Sequence, residues 1–199
     1  MGASGAGKTT LLNTLSGLIT PTKGEICING YNVYDNSANI KGLIGYISQD
    51  DLLFEELTVY QNLFYNAKLC LAETSNEEIH TLVEAVLKDL GLLEIKDLPV
   101  GSPLNKKISG GQRKRLNIAL ELIREPPILF VDEPTSGLSS RDSENVMDLL
   151  KELSLKGRLV IVVIHQPSSD IFKLFDKLLI LDTGGFPAYY GNTVNAIVY

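Results

Sequence analysis

Nine residues near the start, Gly2-Ala3-Ser4-Gly5-Ala6-Gly7-Lys8-Thr9-Thr10, constrain this chain's fold more than any other stretch. They satisfy G-x-x-x-x-G-K-[ST], the Walker A pattern, without a mismatch. Glycines let the backbone curl until its N–H groups converge on one anion. Lys8 reaches β/γ-phosphates, and the Thr9 hydroxyl suits Mg²⁺. A helix opening near Lys8 adds the partial positive charge of its N-terminus. A glycine-rich turn can match by accident, so the pattern needs a metal ligand, a base and a γ-phosphate sensor from later in the chain.

Apolar positions 11, 12, 15 and 18 predict a helix from Lys8 to Leu18, stopped by Pro21 and Gly24. Glu25 to Val33 reads as a strand with a turn at Asn29-Gly30, and Leu43 to Gln49 as a second strand. A helical block follows. Thr58 is placed to cap one helix and Asn76 the next, whose stripe is Ile79, Leu82, Val83, Val86, Leu87 and Leu90, with Gly91 as its stop. Ile108-Ser109-Gly110-Gly111-Gln112 leads into a further helix. Ile128 to Val131 is a continuous apolar run, the mark of a parallel strand buried on both faces, and it ends in Asp132-Glu133. A helix from Ser143 to Leu153, a second buried strand from Leu159 to Ile164, a short helix near 170–175 and a strand from Lys177 to Asp182 continue the alternation. The reading is α/β with a mostly parallel sheet. Residues 1–49 and 113–199 would form a catalytic core, and 50–112 an inserted helical subdomain.

Charge is uneven along the 199 residues: 50–107 hold 11 acids against 5 basic residues, and the remainder 13 of each. The net charge of −6 therefore lies wholly in the middle block, which argues against a surface built for nucleic-acid phosphates. No apolar run approaches the ~20 residues of a membrane span. Cys27 and Cys70 have neither metal-ligand spacing nor a disulfide framework, which favours a reducing, cytosolic compartment.

Strand ends carry the candidate chemistry, because ligands of such sheets bind outside the carboxyl ends of the strands. Asp132 closing an apolar strand is the Walker B pattern, a carboxylate for the Mg²⁺ between β- and γ-phosphates. Glu133 is placed to orient or deprotonate water. Gln49 offers an amide oxygen to the metal or the water, and His165 a donor to the γ-phosphate. Taken alone, each of these two would be an ordinary polar residue, as His80 is. Ser109-Gly110-Gly111 forms a second anion-ready helix start, intelligible if it serves a nucleotide bound by another copy. Arg113, Lys114 and Arg115 read equally well as added positive potential or as a solvated helix turn.

In this order the motifs resemble an ABC-type ATPase over nearly the whole chain: Walker A (2–9), glutamine loop (Gln49), signature (Ile108 to Gln112), Walker B with its glutamate (128–133) and switch histidine (His165). Gln49-Asp50-Asp51-Leu52-Leu53-Phe54, Ser109 through Arg115, His165 through Phe172 and Tyr189-Tyr190-Gly191 are similar to the G (White) subfamily of ABC transporters.

The resemblance implies a P-loop NTPase that binds ATP and Mg²⁺ in a head-to-tail dimer. Each nucleotide would lie between one subunit's Walker motifs and the partner's Ser109, Gly110, Gly111 and Gln112. Thr9, Gln49 and Asp132 would take the metal; Glu133 and His165 would be catalytic. It implies two partners, a second ATPase domain and a transmembrane domain contacted after Gln49, and hence a place at the cytoplasmic face of a membrane. The chain departs from the family pattern at Ile108, where leucine is usual, and at Ser139, where the D-loop has aspartate. The strand that leads into the Walker A loop in the family is also expected to be missing, with an upstream adenine-stacking aromatic. Two rival readings stand beside this one: a soluble ABC ATPase acting on DNA or ribosomes, and an inactive truncated remnant.

Overall fold

The computed structural model describes residues 1–35, 40, 42–102 and 104–196. Its elements run α1 (Lys8–Leu15), β1 (Cys27–Ile28), β2 (Tyr31–Asn32), β3 (Ile44–Ile47), α2 (Val59–Cys70), α3 (Asn76–Asp89), α4 (Gly110–Leu122), β4 (Ile128–Asp132), α5 (Ser140–Leu155), β5 (Leu159–Val163), α6 (Ser169–Lys173), β6 (Leu178–Leu181), β7 (Pro187–Gly191) and α7 (Thr193–Ala196). The strands and helices read from the sequence occur in the expected order, with boundaries moved by local chemistry, while β7 and α7 had no counterpart in that reading.

α1 stops at Leu15, three residues early. Ser16 caps it, Gly17 follows at φ 85°, and Leu18 is exposed. The strand expected over 25–33 is a two-residue hairpin, because Asn29 and Gly30 both adopt positive φ (51° and 84°), as a tight turn with twisted flanks requires. The cap of α3 is Ser75, not Asn76: the Ser75 hydroxyl accepts from Glu78 N while the Glu78 carboxylate accepts from Ser75 N. α5 begins three residues before the expected start, on the cap of Ser139.

β3, β4 and β5 form a parallel sheet in that order, Ile44 opposite Ile128 and Ile128 opposite Leu159. β4 is its middle strand and is buried along nearly its length. β6 and β7 pair antiparallel in a separate sheet. β5 is not the fully buried strand expected: Leu159 is 56% exposed. Its free edge faces β6 across an apolar trough of about 600 Å³, lined among others by Leu11, Val160, Val162, Leu174 and Leu179. At one end of the trough Met1 runs along β6, its amino group donating to Leu179 O (2.7 Å) and its carbonyl accepting from Leu181 N (2.9 Å).

α4 lies between the sheet and the helical layer, against β3, α2, α3 and α5. Leu116, Ile118, Ala119 and Ile123 are fully buried, so this helix is apolar on more than one face. Each such leucine or isoleucine removed from water contributes roughly 1.5–3 kcal/mol. One apolar cluster runs continuously from Ile79 and Val83 of α3 through Leu116 to Leu129 and Val131 of β4.

Candidate functional site

The loop from Gly2 to Gly7 starts beside the end of β6, where Gly2 bridges Leu181, and delivers the chain to α1. Gly2 adopts φ 149° with the position of a Cβ only 2.3 Å from Leu181 O, so backbone packing alone demands glycine there. Gly5 and Gly7 have φ 76° and 85° with open space around them, which makes their glycine requirement conformational. Ala6 is buried; Ser4 is exposed. Lys8 folds back over the loop, its Nζ donating to Gly2 O (3.1 Å) and Ala3 O (2.9 Å).

Gly7 caps α1 without a side-chain acceptor, and no acidic residue stands in the first turn, which includes Thr9 and Thr10. Helices α2, α3, α4, α5 and α6 each carry a side-chain cap, at Thr58, Ser75, Ser109, Ser139 and Ser168. Among the described residues the opening N–H groups of α1 thus have no side-chain partner, and they face the turn of the glycine loop.

Across 123 residues of sequence, the Thr9 hydroxyl donates to the Asp132 carboxylate at 3.3 Å. Asp132 is 4% exposed at the end of β4. Burial pushes its pKa above the ordinary carboxylate range, Thr9 pulls it back, Glu133 raises it, and Lys114 and Lys8 lower it. Glu133 follows in the left-handed region (φ 44°), rare for a non-glycine residue and held by its N–H on Val163 O (3.0 Å). β5 ends beside this pair, since Val163 is the register partner of Asp132. His165 lies exposed two residues further on, next to Gln166, whose φ is 46°. Gln49 is exposed just past the end of β3. The ends of β3, β4 and β5 therefore bring Gln49, Asp132–Glu133 and His165 to one edge of the sheet.

Ser109 to Gln112 are placed elsewhere. Ser109 and Gln112 form a reciprocal capping box at the head of α4. The glycines beside them pack on the segment after β4: a Cβ on Gly110 would lie 3.1 Å from Leu138 Cδ2, and one on Gly111 2.3 Å from Asp142 Oδ1.

Residues 1–136 match the sequence profile of a family described as "ABC transporter". The chain belongs to the ABC transporter family. ABC transporter G family member 26 of Arabidopsis thaliana is 42% identical over 201 residues, which covers all of this chain and 29% of that protein. G family member 24 of Dictyostelium discoideum is 43% identical over 206 residues, all of this chain and 17% of that protein. The ABC-type transporter claG of Penicillium crustosum is 39% identical over 98% of the chain and 26% of its own length. The chain thus spans less than a third of these curated relatives. Its fold is that of a P-loop NTPase, as the parallel sheet and the loop before α1 also argue.

The donor set of this ABC chain fits a nucleotide with Mg²⁺. Glycine N–H groups and an uncapped helix start suit phosphate oxygens, and one carboxylate beside one hydroxyl suits a small hard cation that keeps water and phosphate in its shell. Among the described residues no group of three or more His, Cys, Asp or Glu could hold a metal without such help. Among them, too, no helix is long and apolar enough to cross a membrane.

Two features were open or unread in the sequence. Arg113 and Lys114 are not a solvated turn; they are buried, 9% and 8% exposed. Ser139, where the family has the D-loop aspartate, caps α5: it accepts from Asp142 N (3.1 Å) and donates to Asp142 Oδ2 (2.9 Å).

Proposed function

We propose that the chain is the ATP-binding and ATP-hydrolysing part of a transporter, coupling hydrolysis in a nucleotide-sandwich dimer to transport across a membrane. The observation that carries this is the Thr9–Asp132 contact beside an uncapped helix start, because two hard-cation ligands meet where phosphate donors converge. The names of the G family relatives support the transport half of the reading. In it, 1–49 and 113–199 act as the catalytic core and 50–112 as the helical subdomain, with a second ATPase domain and a membrane domain as partners and a location at the cytoplasmic face.

The loop 2–8 and the opening amides of α1 bind the phosphates. Lys8 exchanges its two loop carbonyls for β/γ-oxygens. Thr9, Asp132 and Gln49 would hold the metal, which would supply positive charge against the charge that develops on phosphoryl transfer. Glu133, in its constrained backbone conformation, orients and deprotonates the attacking water, and His165 donates to the γ-phosphate from the neighbouring strand end. Ser109, Gly110 and Gly111 meet the nucleotide of the second ATPase domain.

The test is Glu133→Gln in the protein assembled with its membrane domain. Hydrolysis is expected to fall by about 10²–10⁴-fold, with equilibrium ATP binding retained. Unchanged turnover would overturn the role of Glu133, and absent ATP binding in the parent would overturn the function.

A further inference from the structure

The first turns of α4 do more than present the signature residues. Arg113 forks across Asp51, Nε to Oδ2 at 2.5 Å and Nη2 to Oδ1 at 3.1 Å, while its Nη1 donates to the Gly101 carbonyl. Lys114 Nζ donates to two successive carbonyls, Ser48 O at 3.0 Å and Gln49 O at 3.1 Å. One turn further along α4, the buried Asn117 accepts from Leu52 N at 3.3 Å. Three side chains of one helix thereby bond Ser48, Gln49, Asp51 and Leu52.

The other end of this segment is stapled to α2. Asn62 accepts from Phe54 N (2.8 Å) and donates to Phe54 O and Thr58 O (both 3.0 Å). The backbones of Leu52 and Phe54 are thus held while their side chains stand exposed.

A buried ammonium and a buried guanidinium are costly unless their N–H groups are used. Here Lys114 is spent on the carbonyls of Ser48 and Gln49, and Arg113 on the Asp51 carboxylate and the Gly101 carbonyl. Burial lowers the pKa of Lys114, while Asp51, Asp132 and Asp50 act to raise it. The exposed Gln49 side chain springs from a backbone whose carbonyl is fixed by α4. We propose that Lys114 and Arg113 are positioning residues for Gln49, so that the metal-directed glutamine is set by the signature helix as well as by its own strand. This rests on the reading of Gln49 as a metal ligand. Losing the Lys114 amine frees two carbonyls and lets the Gln49 amide wander, which weakens the metal and leaves the phosphate-binding loop 2–8, which Lys114 does not touch, alone.

The experiment uses the full assembled protein with Glu133→Gln, so that hydrolysis does not intrude. A fluorescent ATP analogue is titrated with Mg²⁺ present and with Mg²⁺ chelated, and the ratio of the two dissociation constants is the readout. Lys114→Met should cut the parent's ratio by about tenfold and leave the metal-free constant within about twofold. Lys114→Arg, which keeps a buried cation for the carbonyls, should restore most of it. An unchanged ratio in Lys114→Met, or an equal loss in the metal-free constant, overturns the proposal. If Lys114→Met fails to melt cooperatively, Arg113→Lys carries the test, since lysine cannot reproduce the fork on Asp51. A smaller loss of the ratio supports the proposal, and a parental ratio overturns it. A parent whose affinity does not respond to Mg²⁺ overturns the metal reading itself.

Discussion

Asp132 answers two opposed demands. Its proposed role as a metal ligand calls for an anion, yet burial in the protein alone favours the neutral acid. Because the folded pKa is raised, the unfolded chain gives up this proton first as pH climbs, so the group costs the unliganded protein stability above the folded pKa and nothing below the unfolded value. Asp132→Asn should therefore melt no lower than the parent at neutral pH without nucleotide, with the difference vanishing in the acid range, while Mg²⁺-dependent ATP binding is lost. Calorimetry across pH checks the first part and binding the second. Gly111 sets a second residue-scale test. A methyl there would meet the Asp142 carboxylate, itself held by Ser139. Gly111→Ala should cost about 1–3 kcal/mol in denaturant melts, and Asp142→Ala in the same chain should recover much of it. Asp132 and Glu133 were legible because an apolar run ended on them. Arg113 and Lys114 were not, since the bonds to Ser48, Gln49 and Gly101 go to backbone carbonyls, which leave no trace in a sequence, and the one side-chain partner, Asp51 for Arg113, lies 62 residues away with no periodic pattern to link the two.

Elements show the same division. The alternation of strands and helices followed from period and breakers, but their ends depended on which of two neighbouring polar residues closed a hydrogen bond. Ser75 and Asn76 are the clearest case, as both are good caps and only the partner Glu78 three residues beyond Ser75 decides between them. Ser75→Ala should destabilise α3 by about 1 kcal/mol and Asn76→Ala by a few tenths at most, read from denaturant midpoints of the two variants. β5 shows what pattern cannot supply. Five apolar residues in a row read as buried on both faces, yet whether an edge has a neighbour is a property of topology. The helix α4, by contrast, announced its head through Ser109-Gly110-Gly111-Gln112, while its mixed sequence hid how many of its faces are covered.

At the scale of the whole molecule, the trough between β5 and β6 leaves, among the described residues, the outer edge of β5 and an apolar surface accessible together. Such edges recruit other strands. The 199-residue chain expressed on its own is expected to self-associate as concentration rises, which light scattering after size exclusion would reveal; a monodisperse monomer at all concentrations would count against it. A different consequence follows from the register of β3 on β4, in which Ile44 and Ile128 stand opposite each other with the whole helical layer between them in sequence. Closing so long a loop is slow and its entropy must be met before any pair of the ladder forms, whereas α2 and α3 need only close neighbours. Refolding should then begin in the helices around Leu63 and Val83 and finish in the sheet. The edge that carries Asp132 and Gln49 would be the last part of the protein to come into being, and a chain halted on the way would own a helical bundle with no place for a phosphate.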